Sequence, residues 1–256
     1  MTGDASTAQT LDYSASPVPV REDIIAAHAR IWDRVRHAGA WWTGAQRVEI
    51  ATEVRNALEC ELCRERKTAL SPSAVQGEHR SQAKDLPPPA VDAVHRIVTD
   101  AQRLSKEWVE RLASEGVSDA HYVELLGVVV AVLSIDEVHR GLGIDLLPLP
   151  TPEAGEPTRI RPDGLASGTA WVPMMTLAGS RKGPNSDLFE GLPVAPNVIA
   201  AMSLVPDAVR DLKTLSNAHY VPTIEVANPT FHGRALDRSQ IELVAGRVSA
   251  LNECFY

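Results

Sequence analysis

The chain has 256 residues, 44% of them hydrophobic, and a formal net charge of −8. That length is ample for a buried core, as one large domain or two modest ones. The acidic balance is spread along the chain, which favours solubility and excludes the basic face that a nucleic-acid partner requires.

Residues 1–20, MTGDASTAQTLDYSASPVPV, are rich in Ser, Thr and Ala and have neither the basic start nor the apolar run of a secretory signal. They read as a disordered leader. The most apolar window, LLGVVVAVLSI at 125–135, falls short of the roughly 20 residues that cross a bilayer. A cytoplasmic protein with no membrane partner is expected.

From Arg21, the residues Ile24, Ala27, Ile31 and Val35 recur at helical spacing up to Gly39, predicting a helix over 21–38. Thr43 is placed to cap a second helix, with Val48, Ala51, Val54 and Leu58 on one stripe, that runs directly toward Cys60. Ser71-Pro72 and Pro87-Pro88-Pro89 are breaks, because proline lacks the amide hydrogen and disfavours helix in the residue before it. A helix over Ala90–Ala113 follows, with a candidate interruption at Asp100. Another runs from a cap at Ser118 to about Arg140, ending at Gly141 and Gly143. Its VVVAVL segment has strand propensity, but the cap and the glycines bound a helix-length pattern.

Residues 149–194 are dense in Pro and Gly and read as a linker or irregular arm. Helical patterning returns with APNVIAAMSLVPDAVRDLKTL, breaks at Pro222 and Pro229, and resumes at Asp237. There Ile241, Val244, Val248 and Leu251 alternate spacings of three and four, predicting one buried helix face. The fold class expected is all-α. It divides into a helical unit over 21–148, the arm, and a second unit over 195–256.

The chain holds three cysteines, Cys60, Cys63 and Cys254. In a reducing compartment this is no disulfide framework, so the CxxC pair points to redox or metal chemistry, with buried core filler as the plain alternative. A zinc site needs four ligands; His79 supplies at best a third, with no obvious fourth in the sequence, so no metal or cofactor is expected. Glu59, Glu61 and Glu65 crowd the pair with negative charge, while Arg64 and Arg66 oppose it. His121 with Glu124 and Asp136 with His139 have metal-pair spacing on a helix, but about 22 Å separates the two pairs at 1.5 Å per residue. Capping or surface pairing is the simpler reading. Trp41-Trp42 reads as core or interface rather than a ligand platform.

QRVEIATEVRNALECELC at 46–63 and DRSQIELVAGRVSALNECFY at 237–256 share one plan: an arginine near the start, a glutamate, an apolar helix, an Ala-Leu pair and a cysteine. On these residues the chain resembles the carboxymuconolactone decarboxylase and AhpD-like superfamily, whose redox members place a glutamate twelve residues before a CxxC and a histidine after it. GVSDAHYVELLGVVVAVLSIDEVHRGLGI at 116–144 resembles the helix that closes such a unit, and APNVIAAMSLVPDAVRDL at 195–212 the helix that opens one. Glu242 stands twelve positions before Cys254 and Glu49 eleven before Cys60, while Lys67 occupies the first copy's histidine position. The group most similar is the alkylhydroperoxidase-related (seleno)proteins. The resemblance implies two AhpD-like units, the second incomplete, with selenocysteine expected after Tyr256.

What the resemblance implies is a thiol- or selenol-dependent peroxidase or disulfide oxidoreductase. Its site would comprise Cys60, Cys63, Cys254, Glu242 and Glu49, with the glutamates in proton relays. A hydroperoxide substrate, a dithiol reductant protein and a homo-oligomeric state go with it. A non-catalytic helical scaffold with a decayed redox motif is the alternative. Lactone decarboxylation is disfavoured because cysteines stand at the motif positions.

Overall fold

A computed structural model describes residues 11–252 and 254. The architecture is all-α. The first helix, α1 (Glu22–Arg36), buries Ala27, Ile31, Trp32 and Val35. The second, α2 (Gly44–Leu58), opens on a reciprocal capping box between Thr43 and Gln46 and buries Ile50, Ala51, Val54 and Ala57. A short helix, α3 (Glu61–Thr68), starts three residues after Leu58, with Cys60 as its N-cap.

After an irregular segment comes α4 (Pro88–Asp100), with proline in its first turn, where no intrahelical amide is needed. The predicted interruption at Asp100 is real. A 3₁₀ turn over Ala101–Arg103 separates α4 from α5 (Lys106–Ser114), which is capped by Ser105. The central helix α6 (Asp119–Leu142) begins at the Ser118 cap and ends where Gly143 turns left-handed at φ 69°. Leu125, Val129, Val132 and Ile135 are wholly buried in it, so the VVVAVL run is helical because neighbours cover it on several sides.

The arm carries a two-stranded antiparallel pairing, β1 (Leu165–Ala166) with β2 (Met174–Met175), and the single turn α7 (Leu177–Ser180); a further single turn, α8 (Asn197–Ala200), follows it. It is tied to the helical body. Trp32 Nε1 donates to Pro148 O at 2.8 Å, Glu153 N donates to Arg36 O at 2.8 Å, and Leu188 and Phe189 are buried. The next helix, α9 (Pro206–His219), starts only after Val205, because Pro206 divides the run that the sequence offers as continuous. One hydrophobic core extends from Leu11 to Leu215 and so joins residues of both predicted units.

Two expectations need correction. Leu11 and Tyr13, placed in the leader by sequence, are buried; Tyr13 hydrogen-bonds His28 and lies 3.0 Å from His139 Nε2. Residues 1–10 of that leader lie outside the described residues. The last helix, α10 (Arg238–Leu251), buries only Ile241; Val244, Val248 and Leu251 are exposed by 57%, 50% and 63%. Its apolar periodicity is real, but the described chain places no element over most of that face. No single described helix is long and apolar enough to cross a membrane.

Candidate functional site

The internal echo survives as geometry. Both α2 and α10 open on a capping box with glutamine at the third helical position, and a cysteine follows the end of each. Their surroundings differ. The first lies in the core between α4 and α6, while the second lies at the surface.

Cys60 and Cys63 are 3.7 Å apart and are 2% and 3% exposed. The chain reverses after Leu58, so Cys60 caps α3 and Cys63 occupies its third position, at the end where backbone amides and the helix dipole favour a thiolate. Two histidines face the pair. Nδ1 of His79 lies 3.6 Å from Cys60 Sγ and 3.5 Å from Cys63 Sγ, and Nδ1 of His95 lies 3.2 Å from Cys63 Sγ. His79 comes from the irregular segment and His95 from the buried face of α4.

Each imidazole is held from behind by a carboxylate. His95 Nε2 donates to Glu53 Oε2 at 2.9 Å, with both side chains wholly buried, and His79 Nε2 donates to Asp92 Oδ1 at 2.9 Å. Asp92 is also held by Arg66 at 2.7 Å and Arg96 at 2.8 Å. The bond to Glu53 puts the ring proton of His95 on Nε2 and leaves its Nδ1 lone pair facing Cys63. Of the charges predicted to crowd the pair, Glu59, Glu61 and Glu65 point to solvent and Arg66 turns toward the site.

The two thiols are electrostatically unequal. Burial raises the Cys60 thiol, but the hydrogen bond from His79 and the backbone amides of Cys63 and Arg80 outweigh it and bring it to about 6. Burial, followed by the charge of Cys60, pushes Cys63 up to about 12. Glu53 is raised by burial, yet its bonds to His95, Ser81 and Asn56 win and leave it below its ordinary value.

The other predicted residues lie elsewhere. Glu49 accepts from the backbone amides of Lys84 at 2.8 Å and Asp85 at 3.0 Å; it braces the irregular segment and does not touch the thiols. Glu53, one helical turn later, is the carboxylate that reaches the site. Glu242 is paired with Tyr220 and with Arg238 Nε at 2.6 Å. About 13 Å of helix axis separates it from Leu251, at 1.5 Å per residue, and the exposed Cys254 lies further on, so these two residues do not meet. The position after Tyr256 lies outside the described residues.

The expectation that a fourth ligand is lacking is overturned. Cys60, Cys63, His79 and His95 offer ligand atoms that all lie within 4.8 Å of one another. His95 escapes a sequence reading because 31 residues separate it from the CxxC and it sits within an apolar helical stripe. Its one local signal is that it is the polar member of the buried face of α4. The metal-like pairs on α6 are structural. Glu124 binds Arg47 at 2.7 Å, Asp136 binds Arg55 at 2.8 Å, and His121 bonds its own cap Ser118. Trp42 is buried, its Nε1 donating to His121 O.

No protein-family model matches the chain, and neither curated proteins nor solved structures show a match to it.

Proposed function

We propose that Cys60 and Cys63 form a dithiol/disulfide couple that reduces small hydroperoxides, in the manner of the AhpD-like enzymes that the sequence resembles. The observation that carries this reading is the pairing of a CxxC at a helix N-terminus with a buried histidine–carboxylate dyad, His95 and Glu53, against the second thiol. Cys60, at the N-cap, attacks the terminal peroxide oxygen. The O–O bond breaks, the sulfur becomes a sulfenic acid, and the leaving alkoxide takes a proton. Cys63 then displaces hydroxide from that sulfur as His95 accepts its proton, closing the disulfide with release of water. A dithiol reductant protein restores both thiols. With both sulfurs nearly sealed, reaction requires the segment bearing His79 to swing away from Asp92.

The complete exchange consumes one hydroperoxide and two thiols and yields alcohol, water and a disulfide. In this reading the protein is cytoplasmic and a homo-oligomer, its exposed α10 stripe of Leu243, Val244, Val248 and Leu251 covered by a second copy. A helical scaffold with inert cysteines is the second reading, favoured by the burial of both thiols. The test is thiol titration of the reduced, metal-free chain after exposure to hydrogen peroxide or an organic hydroperoxide. Loss of the Cys60 and Cys63 thiols together, with recovery in dithiothreitol, is expected; thiols that persist unchanged establish the scaffold instead.

A further inference from the structure

We infer that the reduced chain binds one zinc(II) ion through Cys60 Sγ, Cys63 Sγ, His79 Nδ1 and His95 Nδ1. Zinc bound at about 2.3 Å to sulfur and about 2.0 Å to nitrogen in a tetrahedron sets its ligands about 3.7 Å apart for two sulfurs and about 3.5 Å for sulfur and nitrogen. The chain has 3.7 Å between its sulfurs and 3.6, 3.5 and 3.2 Å between sulfur and nitrogen. A disulfide needs sulfurs only about 2.05 Å apart. Four of the six ligand separations already match a zinc tetrahedron, and since all four ligand atoms lie within 4.8 Å of one another, a small inward shift of the side chains closes the rest.

A second feature points the same way. Both histidines turn Nδ1 toward the sulfurs while a carboxylate holds Nε2, Glu53 behind His95 and Asp92 behind His79. Carboxylate–histidine–metal relays of this kind orient the ring and raise its basicity as a ligand. Two thiolates neutralise the ion's charge, so the loaded centre suits a buried site. Sulfur and imidazole together in a tetrahedron select zinc over the harder cations.

The site also lies where apolar packing is sparse. Cys60, Leu62 and Cys63 form a small cluster with Val75, separate from the main core. Apart from α3 and a 3₁₀ turn at Pro72–Ala74, residues 60–87 are irregular. A metal joining α3, the His79 segment and α4 supplies cohesion that so small an apolar cluster does not. The inference stands independently of the redox reading, since it concerns the reduced protein in the absence of peroxide.

The test is titration of the reduced, metal-stripped full chain with cobalt(II), followed by zinc(II). The expected result is one cobalt per chain, with intense tetrahedral d–d bands and a thiolate-to-cobalt charge-transfer band, both abolished by equimolar zinc. His79→Ala and His95→Ala, checked for retained helicity, should each weaken binding at least about tenfold. Zinc should slow amide exchange in residues 60–86 more than in α6. A weak octahedral spectrum without charge transfer in the unmodified chain overturns the inference, whatever the variants do. So does charge transfer that persists undiminished in a folded Cys63→Ala variant. Because no peroxide is present, a negative result here leaves the redox reading standing, and thiols inert to peroxide leave the metal site standing.

Discussion

The carboxylate of Glu53 and the imidazole of His95 meet at 2.9 Å with no solvent access to either side chain. The contact joins α2 to α4 through the interior and fixes which nitrogen of His95 faces Cys63. It does so from a position on α2 one turn beyond the glutamate that sequence spacing selects.

Removing one member of such a pair leaves the other buried without its partner. Glu53→Ala is therefore expected to lower stability by about 3 kcal/mol, and Glu53→Gln, which keeps an acceptor toward His95, by less than half as much. Urea denaturation of the reduced chain measures both. Equal losses would mean that the acceptor bond is not what Glu53 contributes.

Glu49 separates stability from chemistry. Glu49→Gln keeps an acceptor for the Lys84 and Asp85 amides, so it should change stability by less than about 1 kcal/mol and leave the rate of thiol alkylation as it is. Glu53→Gln should alter that rate. A Glu49 effect on alkylation equal to that of Glu53 would return the relay to the position that spacing suggested.

Acid should destabilise the fold through a histidine cluster remote from the thiols. His28 is wholly buried against Tyr13, His139 and His219, and burial, then the charges of His219 and His139, depress it to about 3. Its unfolded value is about 6.5. Above that value both states are neutral and His28 confers no pH dependence. Below it only the unfolded chain takes the proton, so stability falls as pH falls from about 6.5 toward about 3, by about 1.4 kcal/mol per unit. His219, lowered by burial and by Arg21, adds in the same direction. Denaturation at pH 7 and pH 5 should show this loss, and His28→Gln should reduce its slope by about one proton.

A close approach of helices makes one glycine indispensable. A Cβ at Gly127 on α6 would stand 2.8 Å from Cβ of Ala208 on α9. Gly127→Ala should cost about 1–3 kcal/mol by overpacking, and Ala208→Gly in the same chain should recover part of it. Thermal melts of the two single variants and the double variant read this coupling.

Asp136, wholly buried on α6, receives two bonds of 2.8 Å from Arg55, which also donates to Leu147 O at 2.8 Å. Arg55→Ala leaves only Arg140, 4.0 Å away, so a loss of about 3–5 kcal/mol is expected. Adding Asp136→Asn to that variant should restore stability in part, which a denaturation series on the pair will show.

Much of the helical plan was legible from local chemistry alone. Thr43, Ser118 and Asp237 announce their helices because a side-chain oxygen satisfies amides only a few residues away. Gly143 and the proline run at 87–89 mark boundaries through backbone constraints that need no partner. The CxxC was legible for the same reason, since its spacing on a helix brings the sulfurs together whatever surrounds them. Periodicity shows only that a face is apolar, and the covering of that face depends on elements distant in the chain. The same pattern is therefore buried in α2 and exposed in α10. Tertiary structure alone decided that Glu53 rather than Glu49 backs the histidine facing the thiols, and that His79 and His95 converge on them across an irregular segment. Tyr13 likewise joins the buried histidines only through long-range packing. These contacts depend on how α2, α3 and α4 lie against one another, and local sequence carries no term for the distance between residues brought together by a shared core.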